Sequence, residues 1–234
     1  MIKSDCLSSN IVFCVWAGNN AMSGDRISSL FTIFNNVHCP FVYLTNSHYP
    51  EWELPDAPFH PAFPYLSDTH KADYLRVYMM HHFGGGYTDI KFTTKNWTPF
   101  FEALQNSDKW CLGYTEVGPQ GVAKVGGQLE EVLRANYADL IGLCAFIFRK
   151  NTPLTQAWIT RTHALLDSKL EDLKRNPARH PQDQLGVSFT DGTVSAYPIR
   201  WTELLGDIFH PLIYEFRDRV LHADIAPSFA HKYR

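Results

Sequence analysis

Ser67 to Trp97 reads SDTHKADYLRVYMMHHFGGGYTDIKFTTKNW, and its parsing decides how the rest of the chain folds. Ser67 or Thr69 can cap the unpaired N–H groups that open a helix. Ala72, Leu75, Met79 and Phe83 then recur at three- and four-residue intervals, which predicts a helix over 69–83 with one buried stripe. Gly84 supplies the left-handed residue that ends such a helix. One glycine is enough for that, so Gly85 and Gly86 imply a second need, a backbone that approaches a ligand closely. A strand is predicted over 87–93. Alternation along it sets Asp89 and Lys91 on the same face, an acid beside a base at a strand end.

Upstream, Ile11 to Ala17 is an apolar run of about seven residues. It is too short for a secretory signal or for the roughly 20 residues of a membrane span, and it reads as a buried strand. SGDRISSLFTIF follows as a helix, capped by Ser23 or Asp25, with Ile27, Leu30, Phe31 and Phe34 as its apolar face. FVYLTN is a second strand. Strand, helix and strand make a β–α–β unit, which calls for a parallel sheet. Between Tyr49 and Pro64, prolines at 50, 55, 58, 61 and 64 exclude a regular helix or central strand, so this is an extended loop pinned by Trp52, Phe59 and Phe63.

Downstream, WTPFFEALQN reads as a helix, WCLGYTE as a strand, Val117 to Gly127 as a mobile glycine-rich loop, and LIGLCAFIF as a buried strand. PLTQAWITRTHALLDSKLEDLKRN is a long amphipathic helix, and the remainder is strand-poor. No repeat, low-complexity tract or linker divides the chain. The expectation is one α/β domain over 1–234: a mostly parallel, Rossmann-like sheet flanked by helices, with a less regular C-terminal lobe.

With 234 residues the chain can bury a real core. Its net charge of −3 and lack of Lys/Arg clusters argue against nucleic acid or an anionic membrane surface as a partner. Cys6, Cys14, Cys39, Cys111 and Cys144 are odd in number, irregularly spaced and without a CxxC pair, so free thiols in a reducing, cytoplasmic compartment are expected. Neither GxGxxG nor GxxxxGK[ST] occurs, which removes the dinucleotide fingerprint and the P-loop. Asp73 and Arg76, three residues apart, can pair on one helical face, either as a solvated pair or presented to a ligand.

The segment HKADYLRVYMMHHFGGGYTDIKF resembles the K-A-D-[hydrophobic]-x-R … Y-G-G-x-Y-x-D-x-D signature of small GT-A-type glycosyltransferases. These are DXD-containing, sugar-binding proteins of the capsular-polysaccharide type, with relatives in bacteria, fungi and large DNA viruses. The match spans Thr69 to Lys91, about a tenth of the chain, and weakens beyond residue 110. It implies transfer of a hexose from a nucleoside diphosphate sugar, a UDP-sugar first of all, to a hydroxyl of a glycan or glycoprotein. Residues 1–115 would bind the nucleotide sugar and 116–234 the acceptor. A non-catalytic nucleotide-sugar or glycan-binding module is the alternative.

Carried over residue by residue, the resemblance implies that Trp16, Ala17, Gly18 and Thr45 border the nucleotide. Lys71, Asp73 and Arg76 would help to hold base, ribose or sugar, and Gly85 and Gly86 would allow its close approach. Asp89 would be the first acid of the DXD. The second acid, which ligates Mn2+ or Mg2+ in the family, is Lys91 here, and a protonated lysine ligates no metal. Two accounts stay open. Lys91 can itself neutralise the diphosphate, since a unit charge pair at 4 Å is worth about 4 kcal/mol at an effective dielectric near 20. Alternatively, a metal binds through Asp89 with His222 or His231. Glu116 and Asp183 are the expected acid–base residues if transfer inverts the sugar centre. Among Trp97, Trp110, Trp158 and Trp201, the last is the best placed to stack on a sugar, and the others read as core.

Overall fold

A computed structural model of the protein describes residues 10–231, so Cys6 lies outside the described residues. Six strands form one sheet: β1 (Val12–Trp16), β2 (Phe41–Thr45), β3 (Gly85–Thr88), β4 (Cys111–Thr115), β5 (Ile141–Phe148) and β6 (Val220–His222). Their order is β2-β1-β3-β5-β4-β6. The pairs β1–β2, β1–β3 and β4–β6 are parallel, and β5 alone runs against its neighbours. The helices are α1 (Gly24–Asn36), α2 (Asp68–His82), α3 (Thr98–Gln105), α4 (Gly127–Ala135), α5 (Pro153–Arg175) and α6 (Gly206–Glu215). The molecule is thus an α/β protein with a mostly parallel, Rossmann-like sheet covered by helices on both faces. Strands from both halves of the chain interleave in that sheet.

Alternation sorts the strands into two cores. Ile11, Phe13, Val15, Phe146 and Phe148 face α2, α5 and α6 on one side. Val12, Cys14, Ala145 and Ile147 face α1 and α3 on the other, with Ile33, Trp97 and Phe101. Both faces being covered is why these strands read as unbroken apolar runs. The helix starts follow local chemistry: Ser23 and Ser67 each accept a backbone N–H three residues on, and Thr152 and Thr155 form a reciprocal capping box at α5.

Several expectations change. The apolar face of α1 is not the one periodicity selected: Phe31 is 63% exposed, Phe34 71% and Ile27 43%, while Ser29, Ile33 and Val37 are buried. The helix is turned by polar contacts to the segment after β3, where the Thr32 hydroxyl accepts from the Thr93 N–H and Asn36 Nδ2 donates to the Thr93 carbonyl. Helix α2 is buried on nearly all sides rather than along one stripe, with His70, Asp73, Arg76 and His81 inside as well. It lies between the sheet and α5. Strand β3 stops at Thr88, because the Lys91 N–H donates to the Asp89 carbonyl two residues back and turns the chain off the sheet. Residues 117–127 are anchored rather than loose: Val122 and Ala123 are buried, and the Ala123 N–H donates to His210 Nδ1 on α6.

The glycine run has a packing explanation. Gly84 and Gly85 have φ of +69° and +87°. A Cβ on Gly85 would stand 2.5 Å from the Ile11 carbonyl oxygen, and one on Gly86 2.6 Å from the Trp97 ring. Gly85→Ala therefore meets both a left-handed backbone and a fixed carbonyl that accepts the Gly86 N–H. It is expected to cost about 2–5 kcal/mol, read as a lowered urea midpoint.

Candidate functional site

The chain leaves β1 through α1 to β2 on one side, then returns through α2 to β3 on the other. The carboxyl ends of β1 and β3 therefore part company, and in open α/β sheets that switch point is where ligands sit. A cleft of about 950 Å3 opens there. Trp16, Ala17, Gly18 and Asn20 line it from the end of β1, and Asp89, Ile90 and Lys91 from the end of β3. Helix α2 contributes Asp68, Thr69, Ala72, Asp73 and Arg76, and α1 contributes Arg26. The irregular C-terminal segment closes the opposite wall with His180, Gln182, Phe189, Trp201 and Thr202.

That wall is fastened to the N-terminus of α2. The Tyr197 hydroxyl meets His70 Nδ1 at 2.9 Å and accepts from the Ser67 N–H, and the Thr69 N–H donates to the Pro181 carbonyl. Gly18 is tight for a similar reason, since a Cβ there would lie 3.0 Å from Asp68 Oδ2 and closer still to Asn20.

Arg76 organises the floor. Its guanidinium reaches Asp89 Oδ1 at 3.2 Å, Asp73 Oδ1 at 3.4 Å and the Leu143 carbonyl at 2.7 Å, and it lies over the Tyr87 ring at 4.2 Å. The Tyr87 hydroxyl donates to the same Asp89 oxygen at 3.1 Å. Lys91 Nζ takes the other oxygen, Oδ2, at 3.2 Å and contacts Cys144 Sγ on β5 at 2.6 Å. Arg26 donates to the Ile90 carbonyl, which puts its guanidinium beside the Asp89–Lys91 turn, and it also approaches the Trp16 ring.

Burial drives the Asp89 carboxyl upward, but Arg76 and Lys91 outweigh it and hold the group below the ordinary value. Burial depresses Lys91, yet Asp89 and Cys144 more than compensate and raise it. The pair stays charged through the neutral range. Asp73 differs: burial raises it to about 7, against the pull of Arg76 and with Asp89 adding to the rise. A folded pKa above the unfolded 3.8 means that the folded state binds the extra proton between the two values, so ionisation opposes folding as pH rises. Asp73→Asn is accordingly expected to flatten the fall in stability between about pH 4 and about pH 7 relative to the wild type. Chemical unfolding at a series of pH values reads this difference.

Other expected site residues lie elsewhere. Gly85 and Gly86 sit at the opposite end of β3, packed as described. Thr45 bonds Ser47 and His48, and Lys71 pairs with Asp68 at 3.7 Å outside the cleft wall. Asp183 is buried and braces the C-terminal wall, accepting from the Ser195 hydroxyl at 2.6 Å and the Arg179 N–H at 2.9 Å. Glu116 Oε1 accepts the Val117 N–H, and its Oε2 stands 3.4 Å from Nε2 of the buried His210, whose Nδ1 accepts the Ala123 N–H. Neither acid lines the cleft. His222 bonds Thr115, while His231 bonds Ser228 and stacks on Phe92.

Asp89 therefore has both oxygens engaged by cationic or hydroxyl donors, which does not suit a metal ligand as arranged. Among the described residues no group of three or more His, Cys, Asp or Glu is placed to hold a metal ion. Trp201 is the tryptophan on the cleft besides Trp16, whereas Trp97 and Trp158 are core and Trp110 lies against Phe216. Arg26, Asp68, Asn20 and His180 are cleft residues that no spacing in the sequence announced.

Fold and cleft together define an α/β protein with a polar cleft at the switch point of its sheet. No protein-family model matches the chain, and no curated protein matches it.

Proposed function

We propose that the protein is a glycosyltransferase that moves a hexose from a nucleoside diphosphate sugar, first of all a UDP-sugar, to a hydroxyl of a glycan or glycoprotein. The observation that carries this reading is the meeting of the Asp73–Arg76 helix with the Asp89–Lys91 turn in one cleft at the carboxyl ends of β1 and β3. The base or ribose packs beside Trp16 and Gly18. Asp73 accepts from sugar or ribose hydroxyls, and Trp201 offers an aromatic face near the acceptor wall. Lys91 and Arg26 stand where charge develops on the departing diphosphate, so side-chain cations supply the stabilisation that a divalent ion gives in the resembled family.

Glu116 and Asp183 are tied into structural contacts, and on the cleft burial raises Asp73 to about 7 while Arg76 and Lys91 hold Asp89 below its ordinary value. Stabilising the leaving group is thus the main chemical task of these residues. The Val117–Gly127 segment is held against α6, whereas residues 187–190 line the cleft between Gly186 and Gly192, whose φ values are +77° and +81°.

A non-catalytic nucleotide-sugar-binding module is the second reading, favoured by the full engagement of Asp89. Incubation with a panel of UDP-hexoses, with and without Mn2+, separates the two. Slow UDP release without acceptor, accelerated by a glycan hydroxyl, is the expected result. UDP binding without release from any donor supports the binding module, and neither binding nor release removes both. Among the described residues no helix is long and apolar enough to cross a membrane.

A further inference from the structure

The amine of Lys91 is 2.6 Å from the sulfur of Cys144, yet 3.2 Å from the oxygen of Asp89. N–H···O bonds span about 2.7–3.2 Å, and sulfur is the larger atom, so an ordinary N–H···S contact is longer still. The amine and thiol are held well inside that separation. An amine and a sulfur that share a single bridging oxygen stand about this far apart.

The surroundings enforce the approach. Lys91 is fixed by the tight turn after β3 and by Asp89, with the Phe229 ring 5.4 Å from its amine. Cys144 is fixed by β5: its carbonyl accepts the Asp89 N–H at 2.8 Å, and its N–H meets the Tyr114 hydroxyl at 3.3 Å. Lys91 borders the cleft and Cys144 is partly exposed behind it, which gives a small oxidant a route to the sulfur; burial pushes the Cys144 thiol up to about 11 against the pull of Lys91, so the reaction draws on a small thiolate fraction and is slow. The other described cysteines have no amine at comparable range among their hydrogen bonds: Cys39 Sγ meets the Thr98 hydroxyl, and Cys14 and Cys111 are buried.

We infer that Lys91 and Cys144 form an oxidation site that closes into an oxygen-bridged lysine–cysteine crosslink when the protein meets a peroxide. In the first step the thiol attacks hydrogen peroxide: an S–O bond forms, the O–O bond breaks, and Cys144 becomes the sulfenic acid with release of one water. In the second step the Lys91 ammonium first gives one proton to solvent, and the free amine, the sulfenic acid and a second peroxide give Lys–NH–O–S–Cys and two waters. There the N–O bond forms, the second O–O bond breaks, and the amine and the sulfenic acid each give up a proton. Each peroxide takes up two electrons, and two equivalents of a dithiol return four, restoring amine, thiol and one water.

Closure has a direct consequence in the cleft. A nitrogen bonded to oxygen is a much weaker base than a lysine amine, so Lys91 loses its positive charge and Asp89 Oδ2 loses its ion partner. The crosslink also ties the turn after β3 to β5. This inference does not depend on the proposed glycosyl transfer, because it rests on the Lys91–Cys144 geometry alone.

Peptide mass spectrometry of the full chain tests it. The protein is exposed to hydrogen peroxide, quenched with catalase, alkylated and digested. The expected product joins the peptide carrying Lys91 to the one carrying Cys144, with a net gain of one oxygen and loss of two hydrogens. Dithiothreitol added before alkylation should split it and expose Cys144 to alkylation. Cys144→Ser and Lys91→Arg should each abolish the species, and the wild-type measurement stands if either variant fails to fold. Whole oxygens gained on Cys144 alone, a loss of two hydrogens without oxygen (a direct S–N bond), or an unmodified Cys144 would each overturn the inference.

Discussion

Replacing Arg76 by Leu is expected to destabilise the protein by about 3–5 kcal/mol, the range for removing one partner of a buried ionic network. For a chain of this size that is a fall in thermal midpoint of roughly 6 to 20 °C. The reason lies in what Arg76 leaves behind. Its side chain is only 7% exposed and is shared among Asp73, Asp89, the Leu143 carbonyl and the Tyr87 face. Without it, Asp73 sits buried beside the charged Asp89 with no counter-ion, and the Leu143 carbonyl loses its donor. Asp73 can avoid part of the penalty by keeping its proton, which holds the loss below that of two uncompensated charges. Arg76→Lys should recover only a fraction, because one ammonium cannot serve two carboxylates and a carbonyl as the planar fork does. Calorimetry on the two variants checks both statements, and a midpoint within 2 °C of the wild type for the leucine variant would contradict the network's role.

Lys91→Ala is expected to lower UDP release from a UDP-hexose by about a hundredfold to a thousandfold, the usual cost of removing one donor to a developing charge. Lys91 is held on Asp89 Oδ2 at the carboxyl end of β3, with Arg76 on the other oxygen, and Arg26 is its neighbour across the Ile90 carbonyl. The fold should survive, since Asp89 keeps Arg76 and the Tyr87 hydroxyl. If side chains supply the leaving-group charge, EDTA leaves wild-type turnover within about twofold, a change of less than about half a kcal/mol in the barrier. Strong inhibition by EDTA, reversed by Mn2+, would instead restore a metal at Asp89 and demand that Lys91 move aside.

The Asp89–Lys91 pairing illustrates how much of the site could be read in one dimension. The acid, the base and their spacing were visible, but alternation along a strand was the wrong cause. A tight turn, not a pleat, brings them together, because β3 ends one residue before Asp89. Asp73 and Arg76 were visible as a helical pair, and burial decides that they form the cleft floor rather than a solvated face. The glycine run was legible as an anomaly and mistaken in purpose: Ile11 and Trp97, rather than a ligand, demand the missing Cβ atoms at Gly85 and Gly86. Glu116, Asp183, His222 and His231 looked available because a sequence shows a titratable group without showing its partner. Ser195, His210, Thr115 and Ser228 occupy them.

Short-range physics accounts for what the chain announces alone. Caps at Ser23, Ser67 and Thr152, the apolar strands, the proline loop and the β–α–β order follow from interactions within a few residues, and these suffice for an α/β sheet flanked by helices. Contacts between distant segments decide the rest. Periodicity gave α1 one apolar stripe, Ile27, Leu30, Phe31 and Phe34, and hydrogen bonds to and from Thr93 turn the helix so that Phe31 and Phe34 stay in solvent. The reversed strand β5 carries Cys144 to Lys91 across 53 positions of chain, and Tyr197 ties the C-terminal wall to α2 across the cleft. Such pairings leave no local pattern, because each side chain satisfies its own helix or strand equally well until the sheet closes.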